Sequence, residues 1–183
     1  MNDECRYAAN EILRNGMRVT IRAVRPGDRD RIVAAFRKLD PESIYTRFFT
    51  YKDELTDAEL THFTEVDFER RVVLVVTMGS GADEIIIGGG SYTACARADT
   101  VHSAEVGFIV EEDYHGLGIA ARLLHHLSVI ALGRGIDRFE AEVLPENRAM
   151  LSVFARTGFP MTEERVEGTI RVTMELHATA GAG

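Results

Sequence analysis

The sequence predicts an α/β (α+β) domain in which helices flank a mixed, mostly antiparallel central sheet of six to seven strands. Three observations predict it. Between residues 72 and 110, β-branched and alternating segments separated by turns read as an antiparallel meander. The long amphipathic stretch after Gly118 and the strand pattern IDRFEAEV (136–143) behind it read as a βα unit returning to the same sheet. The 183 residues, 45% of them hydrophobic, suffice for one buried core, and no repeat, linker or low-complexity block divides them.

Taken in order, residues 1–16 are polar and end in the turn pair Asn15-Gly16, so a loosely attached lead-in or short helix is expected before a domain at 17–177. MRVTIRAV (17–24) alternates as a half-buried strand does. Pro26 and Asp28 open a helix through Leu39, with Ile32, Ala35, Phe36 and Leu39 at helical spacing. PESIYTRFF (41–49) is a second short helix, and Thr56 with Glu59 forms a capping box for a third. VVLVVTM (72–78) and EIIIGGGSYTAC (84–95) pair across the turn GSGAD, and Gly88 to Gly90 imply a bulge or close backbone packing. A turn near Asp99 leads to SAEVGFIV (103–110). In the long helix Ile119, Leu123, Leu127 and Ile130 form a core-facing stripe. A helix from about Asn147 to Thr157 and a hairpin turning at Glu167-Gly168 close the domain; the tail 178–183 has nothing to bury and is expected to be disordered.

A net charge of −8 disfavours nucleic acid as a partner and suits a cationic one. No signal pattern and no apolar run of membrane length occurs, so a cytoplasmic protein is expected. Cys5 and Cys95 lack metal spacing and are expected to be reduced thiols, Cys95 on a buried strand; His125 and His126 point in different directions. No metal site is expected.

The chemistry concentrates in EVGFIVEEDYHGLGIAARLL (105–124), where a strand passes through an acidic loop into a glycine turn and a helix. Gly116 and Gly118 let the chain present free backbone N–H groups and the positive helix end to a phosphate. GLGIAA (116–121) fits the dinucleotide pattern GxGxxA, but five residues, EEDYH, separate it from the strand, and the chain after it is too short for a second mononucleotide half. No Gly-Lys-Ser/Thr follows, which excludes a Walker loop.

YHGLGIAARLL instead resembles the coenzyme A loop of the GNAT acetyltransferase superfamily, with His115 at the usual Arg/Gln place and Gly118 and Ala120 at the small positions. PENRAMLSVFARTGF (145–159) is similar to that superfamily's Asn-containing helix ending in Gly-Phe. The front half, RAVRPGDRDRIVAAFRKLDPESIYTRFF together with ELTDAELTHFTEVDFERRVVLVV, looks like the catalytic domain of bacterial Pat-type protein lysine acetyltransferases. Those enzymes often carry a regulatory domain on the same chain; none fits in 183 residues, so any such regulation would have to come from a separate partner.

The resemblance implies a GNAT fold, acetyl-CoA as acyl-donor substrate, no metal, and an amine acceptor, a protein lysine in preference to a small amine. Lysine's ordinary pKa of about 10.4 means its proton must be removed before attack. Glu105 is the implied base, with Glu142 as competitor. The backbone at Phe108, Ile109 and Val110 would pair with the pantetheine arm and polarise the thioester carbonyl. N–H groups from Gly116 and Leu117 through Gly118, Ile119, Ala120 and Ala121 would hold the pyrophosphate. Arg122 is either a phosphate ligand or a solvated helix arginine, and Asn147 both a pantetheine partner and a helix cap. Many relatives place Tyr where this chain has Phe154; Phe cannot protonate the leaving thiolate, so the thiolate leaves directly or with help from water or Tyr114. The missing Tyr also keeps open a non-catalytic acyl-CoA-binding sensor. His115 reads as an exposed loop residue, and nothing in the pattern around Cys95 marks it as an activated thiol that would carry the acetyl group.

Overall fold

A computed structural model describes residues 6–95 and 102–177. The elements are β1 (Ala8–Ile12), β2 (Arg18–Ala23), α1 (Arg29–Phe36), α2 (Pro41–Phe48), α3 (Asp57–Thr64), β3 (Arg71–Met78), β4 (Ile85–Ala94), β5 (Ser103–Val110), α4 (Ile119–Gly133), β6 (Arg138–Val143), α5 (Arg148–Ala155), β7 (Met161–Val166) and β8 (Thr169–Glu175). They build one eight-stranded sheet in the order β1-β2-β3-β4-β5-β6-β8-β7. Among the described residues only β5 and β6 pair in parallel, and every other neighbouring pair is antiparallel.

The eighth strand corrects the reading of the N-terminus. β1 is an edge strand of alternating exposed and half-buried residues, and the side chain it turns inward at Glu11 is polar, bonded to His126 and Arg122 of α4. Because its inward face carries a charge, no apolar alternation marks it. The residues 1–5 and 178–183 and the turn near Asp99 lie outside the described residues.

The glycines of β4 do what three in a row suggest. The β3–β4 register shifts between Val76, opposite Gly88, and Thr77, opposite Ile86, leaving Ile87 as the bulged residue. A Cβ on Gly90 would come within 2.8 Å of the Phe108 ring, so the absent side chain admits a core aromatic. Even-numbered β5 residues, Val106 and Phe108, join Leu123, Leu127 and Phe154 in the main core under α4 and α5. Odd-numbered ones therefore face the α1–α3 layer, and a Cβ on Gly107 would meet the Arg47 guanidinium of α2 at 3.2 Å. The stripe Ile119, Leu123 and Leu127 is at most 2% exposed, with Ile130 packed beside it. Cys95, expected on a buried strand, lies exposed one residue past β4, on the face where Thr93 is exposed already.

A buried ion cluster clamps α1 to the sheet. Arg22 of β2 donates two 2.8 Å bonds to Asp28 and another of 2.8 Å to Glu84. Burial opposes the Asp28 charge, but the bonds from Arg22 and the Arg25 N–H outweigh it and hold its pKa below the ordinary value. Asp28→Ala leaves Arg22 buried without its bidentate partner and is expected to cost about 3–5 kcal/mol, read in denaturant titrations. Since the folded pKa is depressed, the clamp's contribution is full above about pH 4, the unfolded value, and is lost as pH falls through the folded pKa. The native chain should therefore lose more stability on acidification than Asp28→Ala does.

Candidate functional site

Two geometric features define the site. First, β5 and β6 pair only at Ser103–Glu105 opposite Arg138–Glu140. Beyond Glu105 the strands part, while β4 still holds the other side of β5 out to Val110. The splay leaves the β6-facing edge of residues 106–110 without a strand partner, and a slot of about 70 Å³ opens there among Glu105, Gly107, Glu142, Asn147, Phe154 and Arg47. An extended ligand can enter such a gap as an added strand.

Second, the loop after β5 delivers helix α4 with its N-terminus bare. Gly116 (φ +75°) and Gly118 (φ +88°) hold left-handed conformations open to glycine. Gly118 sits at the N-cap with no side-chain cap, and the first intrahelical bond runs from the Arg122 N–H to the Gly118 carbonyl at 3.2 Å. The N–H groups of Ile119, Ala120 and Ala121 thus have no partner inside the helix, which suits an anion.

Each residue singled out in the sequence has a definite place. Glu105 is exposed on the α2 side of β5, and no ion pair ties it among the described residues. Burial lowers the pKa of Arg47, and the charge of Glu105 raises it, so the two sense each other across the slot. Glu142 shares the slot but is bonded to Arg171 of β8 at 3.2 Å. Phe108 is 7% exposed, its ring 6.2 Å from that of Phe154; Ile109 and Val110 are half-buried. His115 is exposed and its Nε2 lies 2.7 Å from the Val110 carbonyl, which pins the loop back on the strand end. Asn147 caps α5, its Oδ1 accepting the Met150 N–H at 3.2 Å, and lines the slot as well. Phe154 is 1% exposed on its wall.

Arg122 is neither free in solvent nor aimed outward alone. It donates to the Ile12 carbonyl at 2.6 Å, the Gly118 carbonyl at 3.3 Å and Glu11 at 3.3 Å, bracing β1 against the glycine turn. Sequence reasoning missed its neighbour Arg14, whose N–H reaches the Leu117 carbonyl and whose guanidinium reaches the Gly116 carbonyl, both at 3.3 Å. Two guanidinium groups therefore flank the helix N-terminus; Glu11 offsets the charge of Arg122, and Arg14 adds to the positive field there. Arg47 was missed too, since only the packing of α2 on β5 brings it to Glu105. Among the described residues no cluster of His, Cys, Asp and Glu can hold a metal ion, and no helix is long and apolar enough to cross a membrane.

With this geometry in place, comparison with known proteins is informative. Residues 18–160 match the family model described as the acetyltransferase (GNAT) domain. The chain is 34% identical over 146 residues to acetyltransferase Pat of Mycolicibacterium smegmatis, covering 80% of this chain and 42% of that protein. It is 28% identical over 149 residues to acetyltransferase PA5475 of Pseudomonas aeruginosa, covering 81% and 78%. The crystal structure of the GNAT domain of S. lividans PAT superimposes with a TM-score of 0.82 at 34% identity, over 92% of this chain and 96% of that one.

Proposed function

The chain belongs to the GNAT acetyltransferase domain family, and from that premise we propose that it transfers the acetyl group of acetyl-CoA directly to an amine, by preference the side chain of a protein lysine. The observation that carries the reading is the conjunction of the β5–β6 splay with an uncapped α4 N-terminus at its mouth. The first matches an extended pantetheine arm and the second a pyrophosphate, in the order a coenzyme A thioester presents them.

In this reading the N–H groups of Leu117 through Ala121 hold the pyrophosphate, with Arg14 and Arg122 beside it, and the open edge of Phe108–Val110 pairs with the pantetheine. The thioester then lies near Gly107, and one β5 N–H donates to its carbonyl oxygen as negative charge develops there. Glu105 takes the ammonium proton, directly or through water, and the neutral amine attacks the thioester carbon. The C–S bond breaks and the amide forms as coenzyme A leaves as a thiolate, which takes up the second proton shed by the attacking nitrogen. Glu105 is favoured over Glu142 because the latter's carboxylate is engaged by Arg171. Phe154 supplies no proton, and a thiol pKa of about 8.5 makes the thiolate a workable leaving group.

The lysine preference rests on likeness to Pat acetyltransferases, which this chain matches over 42% of the first one's length. A coenzyme A-release assay against lysine-bearing proteins and a panel of free amines tests it. Turnover with protein lysines is expected; turnover confined to free amines rejects the protein substrate and leaves acetyl transfer standing.

A further inference from the structure

One guanidinium at the slot has no acceptor. Arg47 of α2 is half-buried, with its Cζ 5.4 Å from the centre of the Phe48 ring, and it forms no hydrogen bond or ion pair among the described residues. Arg22, by contrast, meets two carboxylates, those of Asp28 and Glu84. The Arg47 nitrogens stay open to a water-sized visitor, unlike the Nε of Arg71, which is sealed without a partner. Burial disfavours the Arg47 charge and the charge of Glu105 favours it, while Arg71 carries a like charge nearby.

Gly107 lets this group come close. A Cβ there would stand 3.2 Å from the Arg47 Cζ and 3.3 Å from its Nε and Nη2, so the guanidinium lies against the β5 backbone where that strand has lost β6. Arg47 and Gly107 line the slot and also an apolar cavity of about 110 Å³ between the sheet and the α1–α3 layer. A group that extends from the slot toward the cavity therefore passes the Arg47 donors.

We infer that this chain accepts coenzyme A thioesters of short dicarboxylic acids, their distal carboxylate bound by the Arg47 guanidinium, and transfers the carboxyacyl group to the acceptor amine. The thioester's place at Gly107 rests on the acetyl-transfer reading. With the thioester there, an acetyl methyl group offers the guanidinium nothing and leaves it to water. A longer apolar acyl chain strips that water away without supplying an acceptor, which is costly for a charge. A carboxylate one or two carbons beyond the thioester carbon supplies two acceptor oxygens in the geometry a guanidinium matches. Glu105 opposes that carboxylate, but it stands two residues from Gly107, roughly 7 Å along the strand. The pair with Arg47 is in contact, and charge interactions weaken with distance. Glu142 is engaged by Arg171. The transfer balances as acetyl transfer does: the nitrogen bonds the thioester carbon and the C–S bond breaks. One proton goes to Glu105 and the second to the thiolate, and the distal carboxylate stays ionised throughout.

Calorimetric titration of the full chain with malonyl-CoA and with acetoacetyl-CoA, which puts a methyl group in place of the charged oxygen, tests the recognition. Mass analysis of an acceptor amine that the chain acetylates tests the transfer. Malonyl-CoA is expected to bind about tenfold more tightly, the scale of a charge-assisted pair, and a malonyl amide should form. Arg47→Gln should remove or invert the preference, and Arg47→Lys, which keeps the charge but not the fork, should retain part of it. Binding of acetyl-CoA by each variant reports that it is folded. Equal or tighter binding of acetoacetyl-CoA to the native chain, or a preference that survives Arg47→Gln, overturns the inference and leaves acetyl transfer standing. So does malonyl-CoA that binds without transfer while acetyl-CoA reacts. Failure of all three thioesters to bind overturns the acetyl-transfer reading with it.

Discussion

Glu105→Gln is expected to lower kcat by about 10²- to 10⁴-fold, the usual contribution of a positioned general base, while coenzyme A affinity stays unchanged. The amide preserves the size of the side chain and its place on β5 but cannot accept a proton. Glu105 lies on the face of β5 that meets α2, away from the core packed under α4, so folding does not depend on its charge. Glu142→Gln is the internal control. It removes one end of the Arg171 ion pair at the exposed edge of the slot, worth about 0–1 kcal/mol for such a pair, and should leave most of the turnover intact. The opposite pattern, with Glu142 indispensable and Glu105 not, reassigns the base. Steady-state kinetics of the two variants with one acceptor, alongside direct measurement of coenzyme A binding, separates these outcomes.

Gly118→Val is expected to weaken coenzyme A binding by about ten- to hundredfold, the equivalent of the roughly 1–3 kcal/mol that a strained backbone costs. At φ +88° a β-branched residue is strained, and its Cβ would stand 2.6 Å from the Arg122 Nη1. The turn must rotate, which misaligns the first N–H groups of α4 and loosens the brace from Arg122 to Ile12. A donor without the pyrophosphate distinguishes this local effect from general damage: turnover of S-acetylpantetheine should fall little, whereas turnover of acetyl-CoA should fall strongly. Equal losses with both donors would show that Gly118 serves the fold and not the phosphates.

Much of this architecture can be read from residue patterns because local and tertiary preferences agree. The β-branched run of β3, the Thr56–Glu59 capping box and the stripe from Ile119 to Leu127 each report a face that the structure buries or a terminus that it caps. Failures have a common cause. β1 was hidden because its inward contact is Glu11 to His126 and Arg122, a polar pairing that mimics a solvated lead-in. With β1 unread, Arg14 was passed over, though the turn after it was plain in Asn15-Gly16. Cys95 is exposed because burial on its face ends before the strand does: Thr93, inside β4, is exposed already. At the site, the glycine turn, Glu105 and Asn147 were legible as residue types in order. The divergence of β5 from β6 and the approach of Arg47 to Gly107 were not, since both depend on how separate elements pack.

Direct transfer is tested most directly by a single turnover with acetyl-CoA carrying a radiolabelled acetyl group, quenched at successive times and resolved into chain, acceptor and coenzyme. Label should pass from acetyl-CoA to the acceptor amine with coenzyme A released in equal amount, and the chain should stay unlabelled at every time. Label accumulating on the chain before it reaches the acceptor, at Cys95 or elsewhere, would contradict direct transfer, and bound acetyl-CoA that is never consumed with any amine would contradict catalysis itself.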